Sequence, residues 1–95
     1  MLDIVALITP KTEHYQACKQ KITEVIELTR TEEGCLRFEV YEDETAQQLI
    51  LVETWKNQIA LDEHYAKTYI APIFEFYQSA LLKEPEIHKL TAIKS

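Results

Sequence analysis

Two stretches of this sequence alternate like β-strands yet are apolar on both faces. From Leu2 to Thr9, the side chains of Leu2, Ile4, Ala6 and Ile8 point one way and those of Val5 and Leu7 the other. From Gln48 to Trp55, Leu49, Leu51, Glu53 and Trp55 oppose Ile50, Val52 and Thr54. An antiparallel sheet with one face in water does not need apolar side chains on both. A chain with such strands must cover both faces of its sheet, and its own helices can cover only one of them.

The rest of the chain supplies those helices. Between Glu13 and about Glu32 the period becomes helical, with Tyr15, Cys18, Ile22, Val25, Ile26 and Thr29 forming one stripe and Lys19, Lys21, Glu24 and Glu27 lying off it. Pro10 ends the preceding strand, and Thr12 is the expected N-cap. Gly34, the single glycine, sits where a left-handed residue would close this helix. Leu36 to Tyr41 alternates again, with Leu36, Phe38 and Val40 inward and Arg37, Glu39 and Tyr41 outward. The polar run Glu42 to Gln47 has hairpin length, too short for a parallel crossover.

After Trp55, Asn57 is positioned to cap a short helix whose inner side carries Ala60, Leu61, His64 and Tyr65. A break near Lys67-Thr68 leads to a second helical run marked by Ile70, Ile73, Phe74, Tyr77 and Leu81. Pro72 fits its first turn, and Pro85 stops it. Glu86 to Ile93 reads as a last strand. Strand, helix, strand, strand, helix, strand is the split βαβ order of an α+β, ferredoxin-like fold with an antiparallel sheet. At 95 residues the chain forms one domain, spanning residues 1–95, with no room for a second core. The apolar sheet face left without helices predicts a homodimer packed sheet to sheet.

Charge and composition exclude several classes of function. A formal net charge of −6 with scattered lysines and arginines does not suit nucleic acid. No apolar run approaches the ~20 residues that span a bilayer. The start Met1-Leu2-Asp3-Ile4-Val5 lacks the basic, then apolar, pattern of a signal peptide. A cytoplasmic protein with Cys18 and Cys35 as free thiols is expected. His14, His64 and His88 are too dispersed for a zinc site, and no glycine-rich phosphate loop exists. No cofactor or metal is expected.

Two segments carry a family pattern. Thr29-Arg30-Thr31-Glu32-Glu33-Gly34-Cys35-Leu36-Arg37-Phe38 is similar to the TR-x-E-x-GCL-x-Y/F segment of the antibiotic biosynthesis monooxygenase family. Val52-Glu53-Thr54-Trp55-Lys56-Asn57-Gln58-Ile59-Ala60-Leu61-Asp62-Glu63-His64 resembles its v-E-x-W-x-s-x-x-A-L-x-x-H segment, at the matching distance. The resemblance implies a dimeric α/β barrel with a pocket between sheet and helices. For the enzymes of the family it also implies oxygenation of quinols or phenols without metal or flavin. Many members carry a second histidine five positions after the first; here Tyr69 stands in its place. The asparagine that the haem-degrading branch uses in its first strand is absent.

The chemical candidates follow. His64 is the acid–base residue, because imidazole exchanges a proton near neutral pH; the competing role is a packing histidine bonded to Glu53 or a backbone carbonyl. Trp55 offers a flat face to an aromatic substrate. Tyr69, Phe74 and Tyr77, read as lying on one helix, are candidate pocket residues, as is Phe38 on the facing strand. Glu53 points inward and needs a partner, His64 or Arg37. The leading function is a cofactor-independent monooxygenase acting on a quinol or phenolic small molecule with O₂. A dimeric binding or stress-response module that holds such a ligand without turnover is the alternative, and an isomerase or lyase of a small hydroxyketone is a third.

Overall fold

The computed structural model describes residues 1–94. Strands β1 (Leu2–Ile8), β2 (Cys35–Asp43), β3 (Gln48–Trp55) and β4 (Glu86–Leu90) alternate with helices α1 (Tyr15–Arg30), α2 (Gln58–Tyr65) and α3 (Ala71–Ala80). The strands form a single sheet in the order β2-β3-β1-β4, every neighbouring pair antiparallel. This is the α+β, ferredoxin-like arrangement that the element order implies. Ile4 lies opposite Glu53, Ala6 opposite Leu51 and Ile8 opposite Leu49, so one residue parity of β1 and β3 makes a continuous inner face.

The helices cover that face. Tyr15, Cys18, Ile22 and Val25 of α1 and Ile73 and Tyr77 of α3 join Ile4, Ile8, Leu49, Leu51 and Trp55 in one buried cluster. The stripe on α1 therefore buries as its spacing requires, and Cys18 and Cys35 are free thiols. On the other face Val5, Leu7, Ile50 and Val52 remain partly exposed, with Tyr41 and Leu90 exposed beside them. Among the described residues no helix is long and apolar enough to cross a membrane.

Several local expectations change. Gly34 does not adopt a positive φ; a Cβ built there would stand 2.2 Å from the Ala60 Cβ. Glycine is needed because α2 passes directly over it, and the Lys56 N–H bonds the Gly34 carbonyl at 2.8 Å. Thr12 caps nothing with its side chain and instead opens a 3-10 turn, Thr12–His14. α1 stops at Arg30, leaving Glu32 in the turn before β2.

The strand after Gly34 starts one residue early and contains a β-bulge. Cys35 pairs with Trp55 and Arg37 with Thr54, so Leu36 is the extra residue. Cys35 takes the inner position, and Leu36, expected inside, is 56% exposed. The hairpin is also tighter than expected: β2 continues to Asp43, and the connection is 44–47, with Gln47 at φ 52°. Its turn is held by the Ala46 N–H donating to Asp43 Oδ1.

α3 ends at Ala80 well before Pro85, because Leu81 turns extended to bridge Pro10. The Lys11 N–H donates to the Ala80 carbonyl at 2.8 Å and the Leu82 N–H to the Thr9 carbonyl at 2.9 Å. These bonds replace the next helical turn. β4 ends at Leu90 rather than Ile93.

Candidate functional site

α2 begins where β3 ends, and the junction is held by the Lys56 backbone N–H on the Gly34 carbonyl and by the side chain of Asn57. Asn57 accepts the Ala60 N–H at 2.9 Å, satisfying one orphan donor of the helix. With Gly34 making room for Ala60, α2 is drawn against the turn that follows α1. His64, on the last turn of α2, is thereby brought to Glu32 across 32 positions of sequence, Nδ1 lying 2.9 Å from Oε2. The Tyr69 hydroxyl donates to the same Oε2 at 2.5 Å. The side chains of His64 and Glu32 are 6% and 7% exposed.

Aromatic rings enclose the imidazole. The Trp55 ring centroid lies 4.6 Å from that of His64 at an interplanar angle of 38°, with Tyr65 at 5.6 Å and Phe38 at 5.9 Å. Glu53, also buried, accepts the Trp55 indole N–H at 2.8 Å. Trp55 thus sits between a carboxylate at its nitrogen and an imidazole at its face. Burial raises the Glu53 carboxyl above the usual carboxylate range, against the opposing effects of the indole N–H and His64. Burial also lifts the Tyr65 hydroxyl to about 12. Tyr69 is pushed up as well, first by burial and then by its bond to Glu32.

One open space lies beyond these rings. A cavity of about 610 Å³ opens between α3 and β4, walled by Phe74, Tyr77, Leu81, Pro85 and Ile87, with Gln78, Lys83 and Glu84 also lining it. Phe74 and Tyr77 therefore line this cavity, while Glu53 and Phe38 border two other clefts, one beside Asp3 and Thr54 and one beside Cys35 and Arg37, and Glu32 borders a third beside Gly34 and Ala60. The two regions are joined by rings in contact: His64 to Tyr65, Tyr65 to Phe74 at 5.3 Å, and Phe74 to Tyr77 at 5.7 Å. Trp55 packs on His64, and His64 and Tyr69 both meet Glu32.

The profile of the antibiotic biosynthesis monooxygenase family matches residues 1–75. The chain belongs to this family. That segment runs from β1 into α3 and contains Glu32, Glu53, Trp55, His64 and Tyr69. An uncharacterised Synechocystis protein, sll1783, is 37% identical over 78 residues, which is 81% of this chain and 51% of that protein. Rv0793 of Mycobacterium tuberculosis, named provisionally as a monooxygenase, is 33% identical over 61 residues, covering 64% of this chain and 60% of its own length. The chain thus matches between half and two thirds of the length of these curated relatives.

Solved structures share the fold. A crystal structure of an antibiotic biosynthesis monooxygenase superposes with a TM-score of 0.90 at 22% identity, covering 99% of this chain and 100% of that one. The structure of Rv0793 gives 0.89 at 23% identity, covering 99% and 96%.

Sequence reasoning misassigned one partnership and one element and missed one residue. Glu53 was matched to His64 or Arg37, but its hydrogen bond goes to Trp55 two positions along its own strand. Arg37 points to the outer face and pairs with Glu39. Tyr69 lies in the link between α2 and α3, not on α3. Glu32 was not singled out, although it is the hydrogen-bond partner of both His64 and Tyr69. The signal available was its place inside the family segment, three residues after a buried Thr29 and two before Gly34.

Proposed function

We propose that this protein is a cofactor-independent monooxygenase that oxidises a quinol or phenolic small molecule with O₂, with His64 as its base. The observation that carries the reading is the pairing of His64 Nδ1 with a buried carboxylate inside an aromatic shell. A base held by a third group, in surroundings poor in water, is the arrangement that proton abstraction from a phenol needs. Removing the hydroxyl proton makes the ring electron-rich enough to reduce O₂. One oxygen atom enters the ring and the other leaves as water, and the substrate supplies every electron. Membership of a family named for monooxygenases supports the same reading.

In this proposal the cavity beside Phe74 and Tyr77 receives the ring, and rotation of Tyr65 and Phe74 brings it to the imidazole. Phe74 is 37% exposed, so its movement opens no core. Two copies pack sheet to sheet over Val5, Leu7, Ile50 and Val52. Oxygen uptake by purified protein across a panel of hydroquinones tests the function. Uptake is expected with at least one member and should fall at least about 100-fold in His64→Ala, in the range of general-base contributions. Uptake unchanged in that variant would remove His64 from the base role.

One observation favours a second reading, a dimeric module that binds an aromatic ligand without turnover: the cavity and His64 share no wall. A metabolite extract passed over the protein and analysed by mass spectrometry separates the two. Unaltered ligand supports the binding module, and oxidised product supports the oxygenase.

A further inference from the structure

Within the proposed oxygenase, His64 is useful only if the nitrogen facing the substrate is an acceptor, and the structure contains a residue able to decide that. We propose that Glu32 is the positioning residue of the site: it holds His64 as the Nδ1–H tautomer, leaving the Nε2 lone pair free, and Tyr69 holds Glu32 in turn. This inference rests on the reading of His64 as the base, but its first test does not depend on activity.

The argument is one of donors and acceptors. Glu32 Oε2 receives the Tyr69 O–H at 2.5 Å and lies 2.9 Å from His64 Nδ1. A carboxylate oxygen that already accepts from a phenol is matched at that nitrogen only by an N–H. Nothing else competes for the ring: Trp55, Tyr65 and Phe38 approach as rings with centroids 4.6 to 5.9 Å away. The nearby Glu53 uses Oε1 to accept from Trp55. Glu32 is thus the one side chain hydrogen-bonded to His64 among the described residues. A ring nitrogen bonded to a carboxylate sets the tautomer of the whole imidazole.

Three separate segments are brought together to make this triad. Glu32 comes from the α1–β2 turn, His64 from α2 and Tyr69 from the α2–α3 link. The turn and α2 are locked to each other by the close approach of Gly34 and Ala60. With 6% and 7% side-chain exposure, His64 and Glu32 are shielded from the water that would otherwise exchange their bond. Tyr69 therefore acts on the reaction through Glu32, at a place where a second imidazole would have offered a titrating group instead.

Long-range ¹H–¹⁵N NMR of the His64 ring tests the assignment in the wild type, Glu32→Ala and Glu32→Gln. The wild type should show a protonated Nδ1 and an acceptor-type Nε2. Glu32→Ala should shift the ring toward the Nε2–H tautomer. Glu32→Gln keeps an oxygen acceptor without the charge, so it should retain Nδ1–H. Should Glu32→Ala fail to fold, the wild-type and Glu32→Gln tautomers decide. An Nε2–H tautomer in the wild type overturns the proposal. With a substrate in hand, Glu32→Ala should lower kcat at least about tenfold with KM nearly unchanged. If no variant, the wild type included, consumes oxygen, the oxygenase reading falls while the tautomer result stands.

Discussion

At the scale of single residues, Gly34 shows how one missing methyl positions a site. Its backbone would accept any side chain, but the space would not, because a Cβ meets Ala60 at 2.2 Å. Gly34→Ala should lower stability by about 1–3 kcal/mol in urea denaturation, the usual cost of overpacking, and adding Ala60→Gly should recover much of that loss. The sequence marked Gly34 as special but pointed to a left-handed turn, since a lone glycine does not reveal whether backbone or neighbour demands it. Glu53 gives a pH prediction. Its folded-state pKa is raised by burial, so its favourable contribution is complete below the unfolded carboxyl value and is lost as pH rises through the folded one. Glu53→Gln keeps an acceptor for Trp55, so thermal melts should show its stability gaining on the wild type between acid and neutral pH. Composition does not separate Glu32 from Glu33, but the family segment does, since its glutamate falls on Glu32.

At the scale of elements, the boundaries that failed in sequence were those set by long-range pairing. α3 ends at Ala80 because Pro10 and Leu81 bridge, and no local residue announces that. The bulge at Leu36 likewise answers to the register of β2 against β3, which alternation alone cannot supply. Features governed by local chemistry were legible: the helical stripe of α1, Pro72 in the first turn of α3 and the Asn57 cap. That cap is the cheapest handle on the site, since it lies on solvent while the helix it starts carries His64. Asn57→Ala should cost about 1 kcal/mol, measured by urea denaturation, and should speed hydrogen exchange in the first turn of α2 before the rest of the sheet is affected.

At the scale of the whole molecule, the doubly apolar strands foretold the layering: one sheet face lies under the helices, and the other stands open with Val5, Leu7, Ile50 and Val52 across β1 and β3. The location of the cavity was not legible, because it depends on how α3 and the short β4 diverge. If two copies meet on the open face, sedimentation should give twice the chain mass. Val52→Lys, on that face and outside the buried cluster, should then give monomers that keep the helical content. A monomeric wild type would remove the dimer from the proposal. The strand order β2-β3-β1-β4 also has a consequence in time. β1 emerges from the ribosome before either strand that flanks it, and its second partner, β4, comes last of all. The sheet therefore cannot close from one end as it is made; its central strand must wait, apolar on both sides, until nearly the whole domain has left the exit tunnel. For such a chain, the interval of synthesis is the period of greatest exposure to misassociation, and slowing translation after α1 should lower the yield of soluble protein.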